Sequence, residues 1–595
     1  MTGKSDQENL VVDGSDNFGL GVDGGKRPRL VSPQHVVRGT NITVRNGEIS
    51  NRPGFKKISL TFDKPNTQTT VQTGLFQRAA FYSSSNSNVP MLVASISGQL
   101  FRFLLQPNAV SVDRIPIAGP NASNKLRAWF CEADNYLICQ DGQSKPIIYD
   151  GGVAKRAVNT SQGGGTPQVP VGTAMVAGQG RLFVKTCNSR IRAGDISGTK
   201  IGSILNFTET ELLSGGGDFG PDASQGEISG MAFLATQDTA TGQGPLLSFG
   251  PGGATSYNVQ NDRTVWQNGL FATQALTERG SIGNESIVSV NGDLWFRSLD
   301  GWRSFRSARA ETLRWPRTTM SNEIIHRIRD ESPGLLPWGS AVYFDNRLIA
   351  TAMPQKGPQG IYHLGMVALD FFPISSIRQL SEFNPYTYSS PAWEDLWTGI
   401  QPFQILSGMV AGQLRCFAFC YDQGQIALYE ISLADPFDNY GSSNQPILSL
   451  IEFPGYFAKS QVELKQLFSM QIGFAGYQGD VEVEASYRPD DFALWFPWGT
   501  KNLRSQYLPS PPPKRNLPYA FEFNRFVPPE EPRLVWPSPP AVPVPGKDMS
   551  DKGYVFQVKL EIQGAYSISW LRLFGRKLME NLKANIYGDA FKTNQ

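Results

Sequence analysis

The chain has 595 residues and a formal net charge of +2, with 54 Lys and Arg against 52 Asp and Glu. Because the charges nearly balance, the composition gives no reason to expect a protein that coats nucleic acid or is strongly attracted to membranes. With 60 Gly, 41 Pro and only 18% charged residues, the composition favours turns over helices and predicts an all-β chain.

Residues 1–32 are predicted to form an N-terminal arm. The arm is rich in Gly and Asp and ends in a basic cluster, Lys26, Arg27 and Arg29. This cluster could dock on nucleic acid or on an acidic partner, and the alternative is a solvated tail. The start has no secretory apolar core and the chain has no run of 18 apolar residues, so we expect cytoplasmic synthesis and no membrane span.

Residues 36–55 predict two strands around the turn Asn46-Gly47, a hairpin that is a candidate for closing a ring of sheets. From there to about residue 440 a hairpin recurs seven times. Its turns are Ser97-Gly98, Asn291-Gly292 and Asp345-Asn346, with weaker copies near Asp141-Gly142, Gly178-Gln179-Gly180, Gly242-Gln243-Gly244 and Asp422-Gln423-Gly424. Such turns need residues that tolerate positive φ. Most of the spacings are near the ~40–50 residues of a propeller blade, so residues 33–440 predict a β-propeller of about six to eight blades.

Other elements are few. Ser321–Asp330 and Arg576–Asn585 predict two short helices, and Pro354–Gly360 predicts a loop. Residues 441–595 predict a separate C-terminal β-sandwich. Within it, the Pro-rich connection 508–546 should cross the surface as extended polyproline.

The sequence shows no catalytic constellation, no cofactor motif and no metal site. Its three histidines, His35, His326 and His363, lie far from each other and from cysteines at metal-ligand spacing. The five cysteines predict reduced, mostly buried thiols, with Cys416 and Cys420 on one face of a strand.

Two features leave a catalytic or binding alternative open. The acid pairs Glu394-Asp395 and Asp490-Asp491 could serve glycoside hydrolysis, although adjacent acids are usually solvated. Several tryptophans could stack on sugars or bases, or could pack between blades; these are Trp302, Trp393, Trp397, Trp495 and Trp498.

An ordered series of fragments resembles the tail proteins of short-tailed bacteriophages. The opening fragment contains Asn41, Arg45 and Gly47, followed by Arg52-Pro53-Gly54-Phe55. Further similar fragments are Ala133–Gly151, Gly280–Gly301 and Tyr487-Arg488-Pro489-Asp490 with Trp495 and Trp498. The resemblance is to the tail nozzle, also called the tail tubular or hub protein.

This resemblance implies a non-enzymatic structural protein of the virion tail. It implies a ring homo-oligomer, expected to be a hexamer, below the portal and adaptor proteins, with tail fibres or spikes attached around it. Genomic DNA would be retained and then ejected through the channel without sequence-specific binding, and a near-neutral chain is compatible with that passage. The rival hypotheses are a carbohydrate-binding or carbohydrate-cleaving propeller, in a tail spike or surface protein, and an interaction scaffold of the WD40 kind.

Overall fold

The structure is a computed structural model. It describes residues 10–578 except 88, 107–108, 159–166, 187–188, 199–201, 209–217, 236–242, 260–265, 267–271, 307–318, 372–390, 442, 459, 504–531 and 546–548. Strands dominate the described residues, and no helix among them is long and apolar enough to cross a membrane. The all-β prediction is therefore confirmed.

The first six strands are short and join three different sheets. They are β1 (Leu10–Ser15), β2 (Arg38–Thr40), β3 (Ile42–Arg45), β4 (Glu48–Asn51), β5 (Gly54–Lys57) and β6 (Leu60–Phe62). A nine-residue helix, α1 (Pro65–Thr73), follows. Sequence analysis missed this helix, although proline at its first turn suits a helix start.

The first four sheets of the propeller are antiparallel and four-stranded along the chain. They comprise β7 (Phe76–Tyr82), β8 (Met91–Ile96), β9 (Gln99–Leu105) and β10 (Val110–Arg114); β11 (Trp129–Ala133), β12 (Tyr136–Gln140), β13 (Ile147–Tyr149) and β14 (Ala154–Arg156); β15 (Met175–Gly178), β16 (Arg181–Lys185), β17 (Ile191–Ala193) and β18 (Asp218–Phe219); and β19 (Gly230–Ala235), β20 (Gln243–Gly250), β21 (Gly253–Tyr257) and β22 (Ala272–Thr277). The short strand β6 adds to the outer edge of the first sheet.

Three further sheets follow. They comprise β23 (Ile287–Val290), β24 (Asp293–Ser298) and β25 (Gly301–Ser304); then, after the short helix α2 (Ile325–Ile328), β26 (Ala341–Phe344), β27 (Arg347–Gly357), β28 (Gly360–Asp370) and β29 (Ala392–Trp397); and finally β30 (Gln401–Val410), β31 (Gln413–Asp422), β32 (Gln425–Ser432), β33 (Phe437–Asn439) and β34 (Asn444–Pro446). The expected loop at Pro354–Gly360 is wrong, because β27 and β28 continue their ladder through it to Gly357 and Gly360.

The seven sheets form a closed ring in the described part of the chain. The innermost strands β7, β11, β15, β19, β23, β26 and β30 contact one another in that order, and β30 contacts β7. Strand β5 from the N-terminal region pairs antiparallel with β32, with Phe55 opposite Ile431, and so completes the seventh blade. The β3–β4 hairpin lies outside this blade, so only the end of the predicted segment 36–55, Gly54 and Phe55 in β5, takes part in closing the ring.

The hairpin turns Asn46-Gly47 and Asn291-Gly292 adopt the positive φ angles that the sequence predicts. Asn46 and Gly47 have φ of 55° and 83°, and Asn291 and Gly292 have 50° and 75°. Both residues of each pair therefore sit in the left-handed region that tight hairpins require.

The last strands build a second domain. They are β35 (Leu448–Glu452), β36 (Lys465–Pro489), β37 (Phe496–Leu503), β38 (Arg533–Trp536), β39 (Lys552–Gly553) and β40 (Phe556–Lys577). The long strands β36 and β40 pair along most of their length, and register shifts between Leu467 and Glu482 interrupt the ladder. Both halves of this curved sheet contribute to one apolar core, as in a sandwich.

The N-terminal region is part of this second domain, in contrast to the predicted free arm. Strand β1 pairs with β40, β2 pairs with β35, and Phe18 and Val22 are fully buried in the common core. We call residues 10–51 together with 448–578 the β-domain. The propeller is therefore inserted between two parts of the β-domain, and the predicted boundary at residue 33 is wrong.

Two predictions at the C-terminal end also need correction. Within the Pro-rich connection, Arg533–Trp536 is a strand on β36, and Trp536 is fully buried because it reaches the apolar core. The start of the helix predicted for Arg576–Asn585 is wrong, because Arg576 and Lys577 are the last two residues of strand β40. Residues 579–585 lie outside the described part of the chain.

Candidate functional site

The motif residues Asn41 to Phe55 lie where the β-domain meets the propeller. Arg52, only 1% exposed, donates two hydrogen bonds to Asp438 on β33, with Nη1–Oδ1 and Nη2–Oδ2 distances of 2.8 and 2.7 Å. The same carboxylate accepts a hydrogen bond from the Phe55 backbone N–H at 2.9 Å. The Arg52 guanidinium also lies 3.7 Å from the centre of the Phe55 ring. A buried bidentate pair of this kind fixes both position and orientation.

Asn41 connects this ion pair to both domains. Its φ of 59° is unusual for a residue with a side chain, but asparagine tolerates it. Its Oδ1 accepts hydrogen bonds from Arg52 Nε at 3.0 Å and from the Thr398 N–H at 2.6 Å. Its Nδ2 donates to the Leu448 carbonyl at 2.8 Å. The Asn41 side-chain amide thus connects Thr398, between the sixth and seventh blades, with Leu448, where the chain returns to the β-domain.

The same contact region leaves no room for a side chain at Gly54. A Cβ at Gly54 would lie 2.0 Å from the Phe437 carbonyl oxygen, so the close approach of β5 to β33 requires glycine. Pro53 places Arg52 in extended backbone, since proline disfavours helical geometry in the residue before it. The four residues Arg52 to Phe55 therefore together hold β5 against β33.

Arg45 binds the sixth blade from the far end of the β3–β4 hairpin. Its Nε lies 2.7 Å from Asp370 Oδ2, and its Nη1 lies 2.9 Å from Asp345 Oδ2. A Cβ added at Gly47, in the hairpin turn, would lie only 2.8 Å from Asn17 Oδ1. These two motif residues are thus separated from the Arg52 pair by the length of the hairpin.

The acid pair Glu394-Asp395 belongs to the same contact region. Both carboxylates are fully buried. Arg347 Nε donates to Glu394 at 2.9 Å, and the hydroxyl of Thr43 also donates to it. Burial raises the pKa of Glu394, although Arg347 opposes that effect.

Asp395 binds a different set of groups from its neighbour on the strand. It accepts hydrogen bonds from Arg327 Nε at 2.9 Å and from the Gly39 N–H at 3.0 Å, and His326 Nε2 lies 3.3 Å away. Burial would raise its pKa, but hydrogen bonds from His326 and Arg327 outweigh burial and lower it. Together with Arg52, Asn41 and Arg45 and their partners, we call these residues the interdomain network.

The interdomain network is reinforced by backbone pairing. Strand β2 pairs in parallel with β29 at Thr40 and Leu396, so one hydrogen-bonded sheet runs from the sixth blade into the β-domain. The two domains therefore share a ladder as well as buried ion pairs.

The predicted docking cluster lies apart from this network. Lys26 forms an ion pair with Asp23 at 2.7 Å, while Arg27 and Arg29 are exposed. Gly24 and Gly25 press against the segment before α2, where the Gly24 N–H donates to the Glu323 carbonyl at 2.7 Å. The backbone of this cluster is therefore held in place and only its side chains project.

A solvent-open central cavity of about 540 Å³ lies among the innermost strands of the propeller. Glu285 is the only carboxylate among the described residues that line it. Glu285 forms ion pairs with Arg78, at 3.2 Å, and with Arg127. Burial would raise the pKa of Glu285, but the two arginines outweigh burial and lower it.

Arg78 extends across the ring from the first blade. Its Nη2 donates to the Trp338 carbonyl at 2.8 Å, immediately before the sixth blade. Within the described part of the chain, the cavity therefore lacks the pair of carboxylates that glycoside hydrolysis would use.

The other sequence candidates are structural where they are described. Asp490 accepts hydrogen bonds from the Tyr554 and Val555 N–H groups at 2.8 Å. Trp302, Trp393, Trp397 and Trp498 are buried, and Trp495 is partly covered by Arg488. Packing in the cores thus explains Trp302, Trp393, Trp397 and Trp498, whereas Trp495 is half-buried beneath Arg488. Among the described residues, no three His, Cys, Asp or Glu side chains are placed to hold a metal ion.

Cysteines and histidines follow the sequence expectation in part. Cys416 and Cys420 are buried in one core, as predicted for one strand face. Cys187 lies outside the described residues. His363 is buried, and burial lowers its pKa to about 3, so it is neutral near pH 7.

Sequence reasoning missed the acidic partners of Arg45 and Arg52. These partners could not be predicted, because the Arg52–Asp438 contact spans 386 positions. A signal was available for a different part of the network: Glu394 and Asp395 interrupt the apolar run Ala392–Trp397, and buried acids in such a strand require cationic partners, which are Arg347 and Arg327.

No model of a known protein family matches the chain, and no curated protein matches its sequence. Among solved structures, it is similar to YCF48 from Cyanidioschyzon merolae, with 12% identity, a TM-score of 0.32, and coverage of 64% of this chain and 100% of that one. It is also similar to Trypanosoma rangeli sialidase, with 8% identity, a TM-score of 0.27, and coverage of 96% and 97%. Likenesses this weak carry no conclusion about activity.

Proposed function

We propose that this chain is a structural subunit of the tail of a short-tailed bacteriophage, the tail nozzle. In this role identical copies form a ring below the portal and adaptor, and DNA passes through the ring without chemistry. The observation that carries the proposal is that Asn41, Arg45 and Arg52, which carry the sequence resemblance, all belong to the interdomain network. Asn41 and Arg52 link the two domains at one end of the β3–β4 hairpin, and Arg45 links them at its other end.

The interdomain network suits a ring subunit. A closed ring needs identical head-to-tail interfaces at a fixed angle, so each copy must behave as one rigid body. The shared ladder at Thr40 and Leu396 and the buried Arg52–Asp438 pair both oppose bending between the domains.

The propeller cavity also bears on the path of DNA. The ion pairs of Glu285 with Arg78 and Arg127 cross the propeller interior. Because these side chains join strands on opposite sides of the propeller, they would block a duplex there, whereas a ring of copies has a separate channel on its own symmetry axis. In the proposed role, DNA therefore passes between copies rather than through a propeller.

The test is assembly. The purified chain is mixed with portal–adaptor rings from the same phage and examined by negative-stain imaging and mass photometry. We expect a ring of added mass with rotational symmetry on one end of the portal. The matched variant is Arg45→Ala, which removes the cation from buried Asp370 and half-buried Asp345 and should reduce ring closure; circular dichroism first establishes that the variant is folded. Chains that stay monomeric and never add to the portal would contradict the proposal.

A further inference from the structure

A second cavity, of about 620 Å³, opens at the surface of the third blade. Its volume lies within the range of about 300–1,000 Å³ that small-molecule sites occupy. Its walls come from the loop before β15, from the ends of β16 and β17, and from Glu227 before β19. We refer to it as the blade-3 cleft.

The blade-3 cleft has an excess of positive charge. Lys185, Arg190 and Arg192 line it, against Glu227 as the one acid among its described lining residues. Lys185 is only 8% exposed, and its backbone is held by the Thr173 N–H, which donates to the Lys185 carbonyl at 2.9 Å. Arg190 and Arg192 are exposed at the opening.

The contact between Lys185 and Glu227 indicates the charge of the ligand that the cleft can bind. The two groups lie 2.5 Å apart, yet the Glu227 side chain is 76% exposed while that of Lys185 is 10% exposed. A buried ammonium needs an anionic partner. An exposed carboxylate is a weakly held partner, because water and salt compete for it. Glu227 therefore occupies a position that a ligand anion can take over.

We propose that the blade-3 cleft binds a sugar-sized, hydroxylated anion, such as a sugar acid or a sugar phosphate. Lys185 would bind the carboxylate or phosphate in place of Glu227, and the arginines would attract the ligand to the opening. Thr173 and Thr186 also line the cleft and offer hydroxyl groups to a ligand rich in hydroxyls. This inference is independent of the proposed role in a tail.

The experiment is isothermal titration calorimetry on the full chain with glucuronate, glucose 6-phosphate, glucose and inorganic phosphate. Either sugar anion should bind, more weakly at higher salt, and the stronger of the two distinguishes carboxylate from phosphate chemistry. Lys185→Gln should weaken binding about 10-fold or more. Arg190→Gln, an exposed change that spares the fold, should weaken it several-fold. Glu227→Gln should strengthen binding, because it removes the internal competitor.

The matched control is Lys155→Gln, which removes an exposed lysine of the neighbouring blade and should leave affinity unchanged. Three results would overturn the proposal: no binding of either sugar anion at millimolar concentration, binding of glucose or inorganic phosphate as tight as that of the sugar anions, or weaker binding by Glu227→Gln. A purely structural ion pair would make Lys185→Gln and Glu227→Gln act in the same direction, so the opposite signs are the decisive readout.

Discussion

Arg52 and Asp438 lie 386 positions apart and are joined by two nearly parallel hydrogen bonds of 2.7 and 2.8 Å, with both side chains buried. Arg52→Ala leaves the Asp438 carboxylate buried without its cation. We expect the free energy of unfolding to fall by about 3–5 kcal/mol, the cost of breaking a buried pair. Thermal and denaturant unfolding, followed by circular dichroism, measures this loss.

The control for this prediction is Arg572→Ala. Arg572 pairs with Asp16 at 3.2 Å with both side chains largely exposed, so its loss should cost less than about 1 kcal/mol. The double variant Arg52→Met with Asp438→Leu should recover part of the loss, because the two changes together leave no unpaired charge of this ion pair buried. Equal stability of Arg52→Ala and Arg572→Ala would show that the pair does not hold the domains.

The closing strand of the seventh blade gives a second prediction. Phe55 is fully buried between the last two blades, so Phe55→Ala should cost about 3–5 kcal/mol through lost packing and a cavity. Limited proteolysis should then cut the chain near β5 and β32 sooner than in the parent protein. Lys56→Ala, on the exposed side of the same strand, serves as control. Unchanged proteolysis of Phe55→Ala would mean that β5 does not close the ring.

The raised pKa of Glu323 predicts that the stability of the protein depends on pH. Burial, and then the nearby Asp23, raise its pKa to about 7 from 4.5. A carboxyl with a raised folded-state pKa keeps a proton that the unfolded chain loses, so its contribution falls as pH rises from about 4.5 to 7. Glu323→Gln should therefore stabilise the protein on the order of 2 kcal/mol above pH 7 and have little effect near pH 4.5.

Melting temperatures of parent and Glu323→Gln across pH 4.5–8.5 test this dependence. Glu482→Gln, an exposed site on β36, is the matched control and should shift the melting temperature little at any pH. A Glu323→Gln effect that is constant with pH, or that grows toward acid, would contradict the assigned cause.

Thiol chemistry tests the packing of the blades. Cys139, Cys416 and Cys420 are buried, and burial raises the pKa of all three thiols. Because the thiolate is the reactive form, iodoacetamide at pH 8 should leave these three unmodified in the native protein and modify them in denaturant. Site-resolved mass spectrometry gives the readout. A cysteine placed at exposed Ser32 should react at once; rapid native labelling of Cys416 would show that the seventh blade opens.

The sequence predicted local structure well and long-range contacts poorly. The hairpin turns at Asn46-Gly47 and Asn291-Gly292 were predictable because their residue types determine φ over two positions. Residues 36–55 were predicted as a candidate for ring closure, but only the last two of them, Gly54 and Phe55 in β5, pair with the seventh blade. Pro354 looked like a loop residue, yet β27 and β28 pair on either side of it, since cross-strand pairing outweighs local preference.

The candidate site shows the same division. The sequence marked Asn41, Arg45 and Arg52, but nothing local to them specified Asp345, Asp370 or Asp438 as partners. The blade-3 cleft was not predicted, because Glu227, which precedes β19 of the fourth blade, meets Lys185 at the end of β16 and Arg190 just before β17 only in the folded ring. Such clusters arise from the ring geometry, which no short sequence window contains.

The insertion of the propeller within the β-domain has a consequence for biosynthesis. Asn51 on β4 accepts a hydrogen bond from the Tyr566 N–H, 515 positions later. At about 5–20 residues per second, the ribosome needs roughly 25–100 s to deliver that partner. During translation of all seven blades, nascent chains must therefore carry the apolar stretch around Phe18 and Ile42 without the strands β36 and β40 that cover it in the folded core. Chaperone occupancy in ribosome-bound chains should peak on this stretch and end only when β40 emerges from the exit tunnel.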